Sequence, residues 1–385
     1  MRLAIYSDYS YRRDGEELWA ELSVVLFLAG LARWLDGVTL VGRLEPQAGR
    51  WSYRVPPEVA FAPLPHYPSL AHPREAARAL LSSARSFWRA LDDVDTVWLL
   101  GPHPFAVAFA LLAWCRRRRV ALGVRQDLPA YVANRHAGRR SLRLAALALE
   151  GVWRALARVC PVVVVGPDLA RRYRHARRLL PVSISLLSEA AIVGRETLHA
   201  KDYDGALRVL SVGRLDAEKN PLLMADVMAG LASDGRDWRL TVCGDGAMED
   251  ALRERLSELG VADRVTLAGF VSLEEGLLEL YRSSHLLLHC SWTEGVPQVL
   301  LEAFAARLPI VATAVGGVPE AAGGAAELVP PGDVGAAVGA LRSLAGDADR
   351  RAALTEEGAV RAREHSLEAE SQRVAAFLAG GRRPH

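Results

Sequence analysis

Two glutamates on either side of a glycine-valine-proline turn are the residues in this chain best suited to binding chemistry. Glu294 and Glu302 stand eight positions apart, and a largely apolar run over 299–308 follows the turn. The run predicts a buried helix, and the first backbone N–H groups of such a helix bind phosphate. Ionised carboxylates are poor phosphate ligands, so we expect these two to accept hydrogen bonds from hydroxyl groups. The pattern predicts a sugar-nucleotide site; the alternative is a helix with two unrelated acids.

A pair of cations follows an earlier predicted strand, residues 208–212. Gly213 permits a tight turn there, and Arg214 and Lys219 come directly after it. The chain contains only one other lysine, Lys201, so a lysine in this loop stands out against an arginine-rich background. Two cations at the carboxyl end of a strand suit a diphosphate. The alternative is a surface loop with incidental charges.

Loops after two further predicted strands supply glycine or backbone groups. Gly244 and Gly246 lie in the sequence Cys-Gly-Asp-Gly, which indicates either a close backbone approach or a plain turn. Phe270 and Val271 follow the next strand. Their backbone groups are candidates for contact with a nucleobase, and a plain turn explains these residues equally well.

The order of the predicted elements indicates an α/β protein with two doubly wound, Rossmann-like domains. Strand-like apolar runs alternate with helix-length segments along the whole chain, as in parallel sheets covered on both faces. We predict a first domain at 1–190, a linker at 191–206, a second domain at 207–365, and a return helix with tail at 366–385. Ligands of such sheets bind beyond the carboxyl ends of the strands, so we expect the site in a cleft between the domains. Two elements predicted in the first half are a helix at Leu18–Trp34 and a strand at Ser183–Leu187.

Composition restricts the classes of protein to consider. The 385 residues are 51% hydrophobic and 24% charged, as in a globular protein with large cores. No apolar stretch is long and charge-free enough to predict a membrane span, and the strand-like N-terminus predicts no signal peptide. The four cysteines form no Cys-x-x-Cys pair, which favours reduced thiols in a cytoplasmic protein and no zinc site. We predict no metal site, because Asp93 and Asp95 precede a strand and indicate a solvated turn.

Charge is distributed unevenly between the two halves. Residues 1–200 hold 28 arginines against 17 acids, whereas the rest holds 19 basic residues against 28 acids. A segment at 139–158 combines arginines with leucine, alanine, valine and tryptophan. One interpretation is peripheral contact with anionic lipid; the other is a buried helix with an arginine-rich exposed face. Nucleic-acid binding is not predicted, because the basic segments have few aromatic residues and no known motif.

Three motifs together resemble the donor domain of retaining glycosyltransferases of family 4. They are GRLDAEKN, GDG and EGVPQVLLEAFAARLPIVATAVGGVPE, and the resemblance is strong over 207–365 and looser over 1–190. It implies the GT-B fold, in which two Rossmann-like domains face each other across a cleft. It also implies that Arg214 and Lys219 bind the donor diphosphate, Glu302 the ribose and Glu294 the donor sugar. The resemblance places the following backbone along the sugar and phosphates: Gly295, Val296, Pro297, Gln298 and Val299.

The first half departs further from the family pattern. The family's glycine turn after the first strand is matched by Gly15 alone. A histidine near the reaction centre is matched by His103 at one strand end; the alternative is a loop histidine that caps the helix beginning at Pro104. Where relatives carry His-Asp after the next strand, this chain has Gln126 and Asp127. Asp127 is a candidate acceptor base by its location.

The resemblance implies a metal-independent, retaining transfer of a hexose-type sugar to an acceptor hydroxyl group. The donor is a UDP- or GDP-sugar, with UDP favoured, and no other cofactor is expected. The acceptor class is a glycan, a lipid-linked sugar or a small molecule, and the location is the cytoplasm or the inner membrane face. No carboxylate nucleophile is required, so Glu294 binds the sugar while Arg214 and Lys219 stabilise the leaving diphosphate. The alternatives are a sugar phosphorylase, a nucleotide-sugar epimerase and a non-catalytic sugar-nucleotide-binding protein.

Overall fold

The computed structural model divides into two compact units. It describes residues 1–67, 73–135, 139–184, 186–196, 201–272, 276–295 and 297–380. The first unit is Met1–Leu186 with Leu367–His385, and the second is Leu187–Ser366. The described part of 191–206, predicted as a linker, thus belongs to the second unit. There Val193 N–H donates to the carbonyl of Ala305 at 2.9 Å.

A largely parallel sheet forms the centre of the first unit. Its strands are β1 (Arg2–Asp14), β2 (Glu17–Ala20), β3 (Gly37–Leu44), β4 (Tyr53–Arg54), β5 (Ala60–Leu64), β6 (Thr96–Gly101), β7 (Arg119–Val124), β8 (Pro161–Val165) and β9 (Arg178–Val182). The parallel strands run in the order β5-β3-β1-β6-β7-β8-β9, and β2 and β4 add antiparallel pairs beside the far end of β1. The sheet order reverses its direction between β1 and β6, which is the position where such sheets bind ligands.

Helices cover both faces of this sheet. They are α1 (Val24–Gly30), α2 (Pro73–Ala90), α3 (Pro104–Cys115), α4 (Leu128–Arg135), α5 (Arg140–Ala157), α6 (Pro167–Arg172) and α14 (Leu367–Leu378). Alternate residues of β1 point to opposite faces, so Ala4 and Tyr6 pack with α2, α3 and α5, while Leu3 and Ile5 pack with α1 and α14. Of the helices in the described part of the chain, none combines the length and hydrophobicity needed to cross a membrane.

Two predicted elements of the first half are wrong. The predicted helix at Leu18–Trp34 begins instead as strand β2, because Asp14 and Glu17 pair across a two-residue turn and hold the chain antiparallel to β1. The helix α1 is therefore shorter. The predicted strand at Ser183–Leu187 is replaced by β9, which pairs in parallel with β8 from Pro161 onward and ends at Val182. The spacing of apolar residues did not show which segment forms a strand. That depends on which segment pairs with a neighbouring strand, β1 in the first case and β8 in the second.

The second unit is a six-stranded parallel sheet. Its strands are β10 (Leu207–Val212), β11 (Trp238–Cys243), β12 (Val265–Gly269), β13 (Leu286–His289), β14 (Ile310–Thr313) and β15 (Glu327–Val329). Its helices are α7 (Leu222–Ala232), α8 (Glu249–Glu258), α9 (Leu278–Ser283), α10 (Gln298–Ala305), α11 (Val318–Ala322), α12 (Val334–Gly346) and α13 (Ala348–Glu364). The strand order β12-β11-β10-β13-β14-β15 places the reversal of direction between β10 and β13.

The last helix completes the core of the first unit. In α14, Val374, Ala375 and Leu378 are buried in the cluster that also contains α1. Trp34, which follows α1, donates from Nε1 to Ser371 Oγ at 3.1 Å. This hydrogen bond holds α14 against the segment after α1. The first unit therefore depends on residues that follow the whole second unit in sequence.

We expect Val374→Asp to destabilise the first unit by about 3 kcal/mol or more, because a carboxylate would be buried among apolar side chains. Gln372→Asp, at an exposed position of the same helix, is the matched control and should change the free energy of unfolding by less than about 0.5 kcal/mol. Urea denaturation followed by circular dichroism measures both. Equal stability of the two variants would contradict the packing described for α14.

Candidate functional site

A pocket of about 240 Å³ lies at the carboxyl ends of β10 and β13, where the sheet order of the second unit reverses. The end of β10 and its loop contribute 211–214 and Lys219. The end of β13 and its loop contribute 289–291 and Glu294, and the start of α10 contributes 297–299. The fold thus brings together Gly213, both loop cations, Glu294 and the N-terminus of α10. This is the location expected for a ligand of an open α/β sheet.

The Glu294 carboxylate is the centre of the polar contacts in this pocket. Its Oε1 accepts hydrogen bonds from Lys219 Nζ at 2.5 Å and Ser291 Oγ at 2.7 Å. His289 Nε2 lies 3.1 Å from the same oxygen. Burial by itself would raise the pKa of Glu294, but the contacts with His289, Lys219 and Ser291 outweigh it and lower the pKa to about 2. Glu294 is therefore an anion at physiological pH and can accept hydrogen bonds from a sugar.

A glycine on the next loop fixes the backbone of Glu294. Gly316 has a φ of +51°, and a Cβ at this position would lie 2.0 Å from the Glu294 carbonyl oxygen. Gly317 N–H donates to that oxygen at 3.2 Å, and Thr313 Oγ1 donates to the carbonyl of Ser291 at 2.7 Å. Only glycine combines this backbone angle with so close an approach. The glycine pair after β14 thus positions the backbone that carries the Glu294 carboxylate, and neither glycine lines the pocket.

The glycines after β11 support the loop that carries the cations. A Cβ on Gly244 would lie 2.0 Å from the carbonyl oxygen of Gly213, and one on Gly246 would lie 2.6 Å from the backbone of Leu215. Neither Gly244 nor Gly246 lines the pocket. Their close approach is therefore to the neighbouring loop of the protein.

Arg214 lines the pocket with its guanidinium held by two carboxylates. The side chain is 64% exposed and forms ion pairs with Asp216 and Glu218. Trp292 N–H donates to the Glu218 carbonyl at 2.8 Å, which ties this loop to the one after β13. A diphosphate that binds Arg214 must compete with Asp216 and Glu218 for its donors.

Glu302 lies in the second turn of α10 and does not line the pocket. Its Oε2 accepts a hydrogen bond from Tyr281 at 2.7 Å. Burial raises the pKa of Glu302, and the Tyr281 hydrogen bond offsets part of that rise. Glu302 thus lies beyond the first residues of the helix rather than beside Glu294.

The other predicted contacts of the second unit lie outside the pocket lining. Phe270 follows β12 with 70% of its side chain exposed, and Val271 is partly buried beside it. Gly295 is described but does not line the pocket. Val296, predicted to contact the donor, lies outside the described residues. Of the loop before α10, the structure therefore places Glu294 and residues 297–299 at the pocket.

A polar cluster occupies the equivalent position in the first unit, where its own sheet reverses between β1 and β6. His103 Nδ1 accepts from Phe105 N–H at 3.3 Å and lies 3.0 Å from the Tyr6 hydroxyl. These contacts assign the ring proton to Nε2, which lies 3.4 Å from Asp8 Oδ2. Asp8 also accepts a hydrogen bond from Tyr67. His103 caps α3 and orients Asp8, so neither of its ring nitrogens is free to act as a base in this arrangement.

Two predicted residues of the first half occupy structural positions. Asp127 Oδ1 accepts from Ala130 N–H at 3.0 Å and so caps α4, while Oδ2 pairs with Arg172. Both carboxylate oxygens of Asp127 thus have structural partners, and its role as acceptor base stays a prediction. Gly15 forms the tip of the β1–β2 hairpin with a φ of +61°, so β1 continues well past the strand end where a ligand-binding turn was expected.

Sequence reasoning missed several polar residues of these two sites, among them Asp8, Tyr67, His289 and Ser291. His289 was detectable, because it ends the otherwise apolar strand Leu-Leu-Leu-His. Asp8 was concealed because β1 continues beyond it. Tyr67 and Ser291 carried no sequence signal, since their partners Asp8 and Glu294 are identified only by the fold.

We expect the low pKa of Glu294 to appear in the pH dependence of stability. Because its folded pKa of about 2 lies below the ordinary value of 4.5, the stabilisation is complete above about pH 4.5 and is lost as the pH falls towards 2. Glu294→Gln should therefore be less stable than the wild type by about 2 kcal/mol near pH 7, and this difference should shrink over that window. Urea denaturation at several pH values measures it. Glu320→Gln, at an exposed position of α11, is the control; a constant difference for Glu294→Gln would contradict the ion pair.

Comparison with known proteins places this pocket in a recognised sequence segment. Residues 199–361, less than half of the chain, match the family described as Glycosyl transferases group 1. Alpha-D-kanosaminyltransferase of Streptomyces kanamyceticus is 32% identical over 170 residues, which cover 43% of this chain and 44% of that protein. Lipopolysaccharide core biosynthesis mannosyltransferase LpsB of Rhizobium meliloti is 31% identical over 174 residues, covering 43% and 49%. The matched part spans about half the length of these curated relatives.

Solved structures extend the likeness to the whole fold. Sucrose-phosphate synthase from Thermosynechococcus elongatus matches over 98% of both chains with a TM-score of 0.69 at 18% identity. HepE of Anabaena, in complex with UDP and glucose, matches over 99% of this chain and 100% of its own with a TM-score of 0.68 at 15% identity. The chain has the GT-B fold, and the segment that forms its pocket is similar to group 1 glycosyl transferases.

Proposed function

We propose that this protein is a retaining glycosyltransferase, of the family 4 type, that transfers a hexose-type sugar from a UDP- or GDP-sugar to an acceptor hydroxyl. The observation that carries the proposal is the pocket between β10 and β13. It combines two cations, an ionised carboxylate and the start of a helix within the segment that matches group 1 glycosyl transferases.

The donor diphosphate binds between the cations and the start of α10. Arg214 and Lys219 supply positive charge, and Gln298 and Val299 line the pocket at the positive end of the α10 dipole. Lys219 contacts Glu294 in the absence of ligand, so it can bridge a phosphate and that carboxylate. A ligand phosphate also replaces Asp216 and Glu218 as the partner of the Arg214 guanidinium.

The donor sugar and ribose bind to the two glutamates. Glu294 accepts hydrogen bonds from the sugar hydroxyls, since Lys219 and Ser291 occupy one of its oxygens and leave the other for a ligand. Glu302 accepts from the ribose where the donor extends beyond the pocket lining, and Tyr281 orients its carboxyl group. A UDP donor is favoured over GDP, in line with HepE of Anabaena, which has been solved with UDP and with UDP-glucose. Phe270 and Val271 are candidates for contact with the base.

Catalysis rests on electrostatic stabilisation of the departing diphosphate. The bond between the anomeric carbon and the phosphate oxygen breaks as the acceptor oxygen bonds to the same face of that carbon. The acceptor proton passes to the departing phosphate. Arg214, Lys219 and the helix N-terminus stabilise the negative charge that grows on that phosphate, so the proposal needs no metal ion and no carboxylate nucleophile.

The acceptor belongs to one of three classes: a glycan, a lipid-linked sugar or a small molecule. The polar cluster of Asp8, Tyr67 and His103 is the candidate acceptor contact in the first unit, because it lies at the strand ends where α/β sheets bind ligands. The reaction is assigned to the cytoplasm or its membrane face. The free thiols of Cys115, Cys160, Cys243 and Cys290 are consistent with a reducing compartment.

A thermal-shift panel of UDP, UDP-glucose, UDP-N-acetylglucosamine and GDP-mannose tests donor binding. A cognate donor at about a hundred times its Kd should raise the melting temperature by roughly 5 to 10 °C, because it binds the folded state alone. The same panel with EDTA tests metal independence, and a shift abolished by EDTA would contradict it. No shift with any of the nucleotides would contradict the proposed donor class.

We expect Lys219→Ala to lower kcat/KM for transfer by about 100-fold or more, because one cation is lost beside the leaving group. Glu302→Ala should raise the apparent donor KM on the order of tenfold through the lost ribose contact. Initial rates of product release, measured over a range of concentrations of the cognate donor, give kcat/KM and KM for both variants. Arg253→Ala, at an exposed position of α8 in the same unit, is the control. Wild-type turnover by Lys219→Ala, with the fold intact by circular dichroism, would overturn the assignment.

A further inference from the structure

Three neighbouring helices of the first unit form one outer surface. Helices α2, α3 and α5 pack on the same face of the sheet, and each sends a fully buried aromatic ring inward: Phe87, Phe109 and Trp153. Because their inner sides share one core cluster, their outer sides face solvent on the same side of the unit. We call this the α2–α3–α5 surface.

Large apolar side chains are exposed along all three helices. Leu81 is 73% exposed on α2, Leu111 is 55% exposed on α3 and Leu144 is 66% exposed on α5. Trp88 and Trp114 are also exposed on α2 and α3. Single exposed leucines are ordinary, but a group spread over three adjacent helices marks an interaction surface.

The same surface is strongly basic. Among the side chains that the structure describes on α2, α3 and α5, six arginines are exposed: Arg78, Arg85, Arg89, Arg140, Arg143 and Arg154. The one acid among those side chains, Glu150, is buried and accepts a hydrogen bond from Tyr173 at 3.0 Å, so its charge does not face outward. In the arginine run that follows α3, Arg116 forms an ion pair with Asp92 and lies 4.8 Å from the centre of the Trp88 ring. Cationic and apolar groups are therefore interleaved.

Helix α5 shows this arrangement most clearly. It buries only four residues, Ala146, Glu150, Trp153 and Ala157, which recur at helical spacing along one side. The remaining sides expose Leu144 and Leu147 next to Arg140 and Arg143. Helix α5 thus buries one side and has the arginine-rich exposed face of the alternative interpretation, and this exposed face also carries leucines.

We propose that the α2–α3–α5 surface docks the protein peripherally on an anionic lipid bilayer. Arginines beside exposed leucine and tryptophan suit a membrane interface, where guanidinium groups contact lipid phosphates and apolar side chains enter the acyl boundary. A symmetric dimer through this surface would place arginines against arginines, which disfavours a second copy as the partner. A bilayer is the occupant whose continuous negative charge matches the surface.

Vesicle flotation of the full chain tests the proposal. The wild type should float with vesicles of phosphatidylcholine mixed with phosphatidylglycerol and stay behind with phosphatidylcholine alone, and added salt should weaken the binding. Arg140→Gln with Arg143→Gln should lower the partition coefficient on the order of tenfold. Leu144→Ser with Leu147→Ser should lower it severalfold, because less apolar area enters the interface.

The control substitutions lie in the second unit, outside the α2–α3–α5 surface. Arg236→Gln and Val360→Ser, both at exposed positions, should float like the wild type. The donor-induced thermal shift should be unchanged in all variants, which separates this proposal from the proposed function. Equal flotation of the α5 variants and the wild type, or no flotation of the wild type, would overturn the proposal. So would a wild-type dimer in light scattering that the leucine variants convert to monomer.

Discussion

The ion pair between Lys219 and Glu294 joins two loops that are 75 residues apart in sequence and adjacent in the sheet. A carboxylate and an ammonium group buried together lose hydration, so the pair is stable only where further donors complete the carboxylate. Ser291 donates to it, His289 Nε2 lies 3.1 Å from the same oxygen, and Gly316 keeps the backbone of Glu294 in place. The pocket depends on this contact, because it sets the separation between the loop of cations and the start of α10.

The first unit uses the same physical arrangement with different residues. Its carboxylate, Asp8, is held by Tyr67, His103 and Arg43, which come from neighbouring strand ends. In both units the strand order reverses next to the polar residues, so two loops diverge and leave room between them. A long β1 with its hairpin replaces the short glycine turn at this position, which explains why Gly15 lies away from the cluster. The second unit thus carries the segment that matches group 1 glycosyl transferases, and the first carries a polar cluster of its own.

The apolar and polar pattern of α2, α3 and α5 does not by itself show which of their residues are buried. Their apolar residues outnumber the positions that one face of a sheet can cover, and the excess is exposed beside arginine. Exposed leucine and tryptophan side chains do not contribute the free energy that burial of apolar surface would give. Contact with a membrane interface, which takes up apolar side chains and attracts cations, accounts for both features of the surface.

The sequence by itself predicted the parallel strands of the second unit and singled out Arg214, Lys219 and Glu294, which line one pocket. Those features are local: continuous apolar runs, glycine turns and charges that follow a strand. Only the tertiary structure decided the partners, because contacts such as Tyr67 with Asp8 or Tyr281 with Glu302 join distant segments. It also showed that Asp127 is a helix cap, that 17–20 is a strand and that α5 exposes its leucines. Periodicity states which residues share a side, and the neighbouring elements decide which side is covered.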